Sequence, residues 1–230
     1  MIAIADYGIG NLGSVTKAFR RVGAEVRLTG DPEALRGADA LVLPGDGAFG
    51  ATMAEVERHG LVPVLREAVA EGKPLLGICV GMQLLFEESE EHGRHAGLGL
   101  LPGRVKRIEG DLPVPHMGWN RLRVCRPHPV LDGVPDGAHV YFVHSYCCDA
   151  PADVVIATTD YGRDIAAIVG KGSVLGMQFH PEKSQDVGLR LVAGFVRLVP
   201  AARRARDRKM EGRDEGAARP PGMTGRTEGA

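Results

Sequence analysis

The residues best equipped for chemistry are a cysteine between two glycines, Gly77-Ile78-Cys79-Val80-Gly81, and a histidine two places before a carboxylate, His180-Pro181-Glu182. The apolar run 74–78 has the length of a buried strand. Met82, Leu84, Leu85 and Phe86 follow with helical spacing, then acids. Strand, sharp turn and helix, with a thiol at the corner, is the cysteine form of a nucleophile elbow: glycine on both sides lets strand and helix crowd together while the central side chain stays presented. The unpaired N–H groups at such a helix start favour an anion. The plainer alternative is a small cysteine filling the end of a buried strand.

A thiol nucleophile needs a base and a group to orient that base. Of eight histidines, His59, His92, His95, His128 and His139 lie in polar or loop contexts, leaving His116, His144 and His180. Only His180 closes an apolar strand with an acid two residues on. In an extended segment i and i+2 point the same way, so Glu182 can reach the imidazole and fix its tautomer. The chain order of the expected triad is Cys79, His180, Glu182.

Elements must bring these groups together. The first 90 residues alternate strand and helix: Met1–Asp6, a helix through Val15 and Phe19, Ala24–Leu28, Ala38–Leu43, helices over 51–58 and 61–71, then the elbow. Such alternation predicts a parallel sheet covered on both faces. The C-terminal strand ends share one edge, which gathers Cys79, the Pro44-Gly45-Asp46-Gly47 loop and the Tyr7–Asn11 loop. This rule alone does not place His180. The backbone N–H of Val80, with one from Asp46 or Gly47, is then the expected oxyanion hole, and such donors supply roughly 3–4 kcal/mol each in a transition state. Gly8-x-Gly10-x-x-Gly13 fits a dinucleotide fingerprint only as a bare pattern, since the acid after the second strand, Asp31, sits beyond Thr29-Gly30.

Later segments read as mixed β-structure. Strands are expected at 104–108, 121–125 and 138–143, a hairpin at 154–169, a strand at 173–179 and a last helix at 187–198. Trp119, the only tryptophan, is flanked by turn-type residues and suits either core or a partner surface. Residues 1–200 are expected to form one domain. From 201 to 230 the apolar periodicity stops, and composition predicts a disordered tail.

With 44% hydrophobic and 25% charged residues, the 230-residue chain fits one ordinary globular domain. A net charge of −1 gives no electrostatic basis for binding nucleic acid or an anionic membrane. No apolar run would span a bilayer and no signal peptide precedes the first strand, so a cytoplasmic protein with reduced thiols is expected. The four cysteines, Cys79, Cys125, Cys147 and Cys148, lack metal-ligand spacing. No metal or cofactor is expected.

The elbow and His180-Pro181-Glu182 together resemble the class I (triad) glutamine amidotransferases. Asp6-Tyr7-Gly8-Ile9-Gly10-Asn11, Pro44-Gly45-x-Gly47-x-Phe49, Pro115-His116-Met117-Gly118-Trp119-Asn120 and Tyr141-Phe142-Val143-His144-Ser145-Tyr146 narrow this to the glutaminase subunits of imidazole glycerol phosphate synthases. The resemblance runs from residue 2 to about 198. It implies a flavodoxin-like α/β fold with added antiparallel strands, and glutamine hydrolysis through a thioester on Cys79. By the family pattern Gln83, Glu91, Gly47, Ser145 and Tyr146 would hold glutamine. Asn11, Met117, Trp119, Tyr141 and Lys183 would face a separate cyclase subunit, a (β/α)8 barrel that receives the ammonia in a heterodimer. Asp46 departs from an often apolar family position, and its carboxylate is expected to point outward, away from a developing oxyanion. The glutaminase of pyridoxal phosphate synthesis and a non-catalytic docking subunit are the alternatives.

Overall fold

The computed structural model describes residues 1–217. The first half alternates as expected: β1 (Ile2–Ala5), α1 (Leu12–Arg21), β2 (Val26–Thr29), α2 (Pro32–Arg36), β3 (Ala40–Gly45), α3 (Phe49–Arg58), α4 (Leu61–Ala70), β4 (Leu75–Cys79) and α5 (Val80–Leu84). The second half is strand-rich: β5 (Glu88–Ser89), β6 (His95–Ala96), β7 (Arg104–Arg107), β8 (His116–Arg121), β9 (Arg123–Val124), β10 (His139–His144), β11 (Tyr146–Asp149), β12 (Val155–Asp160), β13 (Asp164–Lys171), β14 (Val174–Met177) and the closing helix α6 (Gln185–Ala217).

Eight strands form the main sheet in the order β2-β1-β3-β4-β14-β13-β12-β9. The pairings from β2 to β14 are parallel, and those from β14 to β9 antiparallel. Strands β1, β3, β4 and β14 are buried along their whole length, which is why they read as apolar runs without alternation. The chain moves from β1 outward to β2 and then back across to β3. With right-handed crossovers, that reversal puts α1 on one face and the following helices on the other. Phe19 of α1 packs edge-on against Phe195 of α6, their ring centroids 6.1 Å apart, and both are fully buried. Such a side chain contributes roughly 1.5–3 kcal/mol by leaving water. On the opposite face Arg36 of α2 bonds Glu67 of α4 at 2.9 Å.

The parallel pairing of β14 with β4 settles where His180 lies. Met177 is level with Ile78, so the residues after β14 emerge at the same edge as Cys79. A four-stranded sheet, β11-β7-β5-β6, and a two-stranded ribbon, β10-β8, build the wall beside that edge.

Two expectations need correction. Residues 116–120, read as turn-type sequence between two expected strands, form strand β8 together with Arg121. The strand alternates, but inverted: Met117, Trp119 and Arg121 are exposed while His116 is buried. A strand that shows its apolar side to solvent and turns histidine and asparagine inward defeats the usual period-two reading. The closing helix also passes Leu198 and continues through Pro200 to Ala217. Residues 201–217 are therefore helical, although composition assigned them to a disordered tail. Good helix formers (Ala201-Ala202-Arg203-Arg204) and charge replace apolar periodicity here. Arg203 and Arg206 each lie 3.8 Å from Asp39, which also holds the Met1 ammonium at 2.7 Å. The rest of the expected tail, 218–230, lies outside the described residues. Among the described residues no helix is long and apolar enough to cross a membrane.

Candidate active site

Cys79 ends β4 with φ 55° and ψ −115°, a left-handed backbone that costs a non-glycine residue about 1–3 kcal/mol. Packing enforces it. A Cβ on Gly77 would stand 2.5 Å from the Gly81 carbonyl oxygen, and one on Gly81 would stand 1.9 Å from that of Leu43. Only bare backbone lets β3, β4 and α5 meet this closely. The thiol is 3% exposed, and its sulfur lies 4.0 Å from the Val143 carbonyl oxygen.

His180 is held at both backbone ends. Its N–H donates to the Tyr141 carbonyl at 3.0 Å, and its carbonyl accepts from the Ser184 hydroxyl at 2.7 Å. The ring Nδ1 lies 2.8 Å from Glu182 Oε1, and both side chains are buried. Nε2 is buried and has no hydrogen-bond partner among the described residues. Burial opposes a charge on His180. The proximity of Cys79, with the hydrogen bond and charge of Glu182, more than offsets it and raises the pKa to about 10. A charged ring beside the Cys79 sulfur can stabilise a sulfur anion and later give up a proton.

Cys79 opens into a cavity of about 250 Å³ lined by Asp46, Gly47, Val80, Gln83, Glu91, Pro115, Val143, His144, Ser145 and Tyr146. All the residues expected to hold substrate line this space. Gln83 is buried on α5, and its amide donates to the Tyr146 carbonyl at 3.0 Å and to Gln178 Oε1 at 3.1 Å. Glu91 reaches across to accept the Phe49 N–H at 2.6 Å, capping α3, which has no side-chain cap of its own. A cavity this small, with a thiol and several converging polar groups, suits a small polar metabolite.

The expected oxyanion donors border the same cavity. Val80 begins α5, where a backbone N–H has no intrahelical acceptor. The Gly47 N–H instead donates to Asp46 Oδ1 at 2.8 Å, and the Asp46 carbonyl accepts the Thr52 hydroxyl at 2.9 Å. Asp46 is exposed and borders the cavity, but its carboxylate, expected to point outward, instead turns back onto the loop to accept the Gly47 N–H. Beneath the loop the buried Tyr7 hydroxyl donates to the Pro44 carbonyl. Burial, with the charges of Asp46 and Cys79, keeps this phenol protonated far above its ordinary range.

The residues expected at a partner face occupy adjoining elements. Met117 and Trp119 are 62% and 48% exposed on β8. Tyr141, level with Trp119 on β10, meets it edge-on at 6.1 Å. Lys183 lies in the 3-10 turn Pro181–Lys183, which packs against both β10 and α1. Asn11 caps α1, its side chain accepting the Ser14 N–H at 3.4 Å.

Residue-by-residue reading missed Tyr7, Gln178 and the inward side of β8 and β10. Gln178 had no usable signal, lying in the bend between β14 and His180. Tyr7 had none, because its role depends on β1 and β3 being neighbours.

A family model, glutamine amidotransferase class-I, matches residues 3–196. The HisH subunit of imidazole glycerol phosphate synthase from Bacillus cereus is 48% identical over 206 residues, 90% of this chain and 99% of that one. Its counterpart from Shouchella clausii is 53% identical over 205 residues, 86% and 99% of the two chains. A solved glutamine amidotransferase superposes with a TM-score of 0.70 at 25% identity, covering 86% of this chain and 98% of that one. The chain therefore belongs to the class-I glutamine amidotransferases, in the branch of the HisH subunits.

Proposed function

We propose that this chain hydrolyses glutamine to glutamate and ammonia, with Cys79 as nucleophile, His180 as proton carrier and Glu182 as its orienting acid. The ammonia passes to a cyclase subunit, a (β/α)8 barrel, that makes imidazole glycerol phosphate and aminoimidazole carboxamide ribotide in histidine biosynthesis. The sulfur attacks the side-chain amide carbon of glutamine, its proton having passed to His180 Nε2. The carbonyl oxygen takes up negative charge against the Val80 N–H and an N–H of the Asp46–Gly47 loop. Collapse breaks the C–N bond as His180 returns its proton to the departing nitrogen, leaving a thioester and ammonia. Water, deprotonated by the now neutral His180, cleaves the thioester to glutamate and restores the thiol. Gln83, Glu91, Ser145 and Tyr146 hold the amino-acid part of glutamine. Residues 1–200 form the catalytic domain, and Asn11, Met117, Trp119, Tyr141 and Lys183 face the cyclase.

The observation that carries this reading is a strained Cys79 that lies beside the His180–Glu182 pair and opens into one small cavity lined by the five expected substrate residues. Relatives at about half identity bear the HisH name, which disfavours the pyridoxal phosphate alternative. All four cysteines are free, as suits a cytoplasmic protein. Replacing Cys79 with Ala tests the assignment in the complex with the cyclase. Glutamine-dependent synthesis is expected to fall at least about 10³-fold while synthesis from added ammonium is kept. Equal loss of both would make Cys79 structural.

A further inference from the structure

Two buried histidines outside the triad, His116 on β8 and His144 on β10, face each other across the ribbon. His144 Nδ1 lies 2.9 Å from the Tyr146 carbonyl oxygen, which can only accept, so this nitrogen carries the proton. His144 Nε2 must then accept, and the group 3.0 Å from it is His116 Nδ1, which therefore donates. His116 Nε2 is left as an acceptor and meets the Asn120 amide at 3.2 Å. That amide also donates to the Asp160 carbonyl at 2.8 Å, which fixes it as the nitrogen end. Every proton in the chain from Asn120 to Tyr146 is thus placed, with both rings neutral. Burial pushes both histidines down to about 4, in keeping with this.

Packing holds the chain still. The His116 ring stacks between Phe142, at 4.6 Å, and Tyr161, at 4.1 Å. At its far end the Tyr146 carbonyl also receives the Gln83 amide, so one oxygen ties the histidine chain to a wall of the cavity.

We infer that His116 and His144 are positioning residues for glutamine: their hydrogen-bond chain, anchored at Asn120, fixes the Ser145–Tyr146 backbone and, through its carbonyl, the Gln83 side chain. This rests on the glutaminase reading above. Neither ring touches the reacting atoms, so the effect belongs in substrate affinity rather than in turnover.

The test uses the complex with the cyclase and two variants. His116→Phe keeps a ring for the stack but removes both hydrogen bonds, leaving His144 Nε2 buried and unpaired. KM for glutamine is expected to rise about tenfold, with kcat within about threefold and ammonium-dependent synthesis unchanged. His116→Asn keeps a short-reach N–H donor toward His144 and is expected to restore KM to within about threefold of the parent. An unchanged KM in His116→Phe, equal KM values in the two variants, or a loss confined to kcat would overturn the inference. Should His116→Phe not fold, ring-nitrogen NMR of the parent decides: Nδ1–H neutral tautomers at both histidines support the chain, and an Nε2–H tautomer or a charged ring at either overturns it. A parent complex that cannot hydrolyse glutamine would instead remove the reading on which this rests.

Discussion

Cys79, His180 and Glu182 sit below the surface, whereas Asp46 and Gly47, one strand away, are exposed. The contrast sharpens within four residues of β3 and its loop. A Cβ on Gly45 would stand 2.2 Å from the Gly81 N–H nitrogen, but one on Gly47 would meet nothing within 4 Å, and Gly47 has φ 78°. The base of the loop is locked against the elbow, whereas its tip faces open space and is held only by hydrogen bonds. The proposed nucleophile and base already lie side by side. The Gly47 amide is engaged by the neighbouring carboxylate rather than aimed at the thioester oxygen. What differs between the two regions is therefore rigidity, and we expect control of the reaction to lie in the looser one.

The comparison breaks most severely at its rigid side. Gly81→Ala would push a methyl group into the Leu43 carbonyl, and no flexible side chain is available to yield. We expect loss of glutaminase activity together with destabilisation of about 3 kcal/mol or more, read by urea unfolding. A variant with parental stability and activity would show that the elbow tolerates far more movement than its spacing suggests.

A smaller effect of opposite sign is expected at the loose side. Asp46→Ala releases the Gly47 N–H and removes a negative charge from the edge of the cavity. Both changes favour an oxyanion. Glutamine hydrolysis by the chain without its cyclase should rise at least about tenfold, up to the roughly 10²–10³ that one oxyanion donor is worth. Steady-state glutamate release measures this. An unchanged or lower rate would place control elsewhere.

The smallest effect concerns pH. The pKa of His180 is raised from 6.5 to about 10, so the stability its charge contributes is complete below about pH 6.5 and disappears as pH rises through about 10. Glu182→Gln removes one of the raising partners. Across that window the fall in unfolding free energy with pH should be shallower in the variant. Parallel curves would mean Glu182 does not stabilise the imidazolium.

How much of this could be read from residues alone follows a physical divide. The elbow was legible because its glycines, thiol and apolar strand are contiguous. The His180–Glu182 pair was legible because the two stand only two residues apart, although the chain between them enters a 3-10 turn at Pro181 rather than running extended as expected. The meeting of the two was not, since it depends on β14 pairing parallel to β4 across about a hundred residues of chain. Strand β8 was hidden by its inverted pattern, with Trp119 outward and His116 inward. The extension of α6 was hidden because charge toward Asp39, not apolar spacing, accompanies it. The glutamine-holding roles proposed for Ser145 and Tyr146 came from resemblance, as nothing in their spacing marks them.

Trp119 is the sole indole in the chain, half exposed and one ring away from Tyr141, whose backbone carbonyl holds the His180 N–H. Emission from this chain therefore originates at one spot, with no second indole to dilute it. That spot lies on the proposed docking face, and a single ribbon residue separates it from the proposed catalytic base. A cyclase lacking tryptophan would leave the arrival of a partner and its effect near the base readable in one optical signal, without any label.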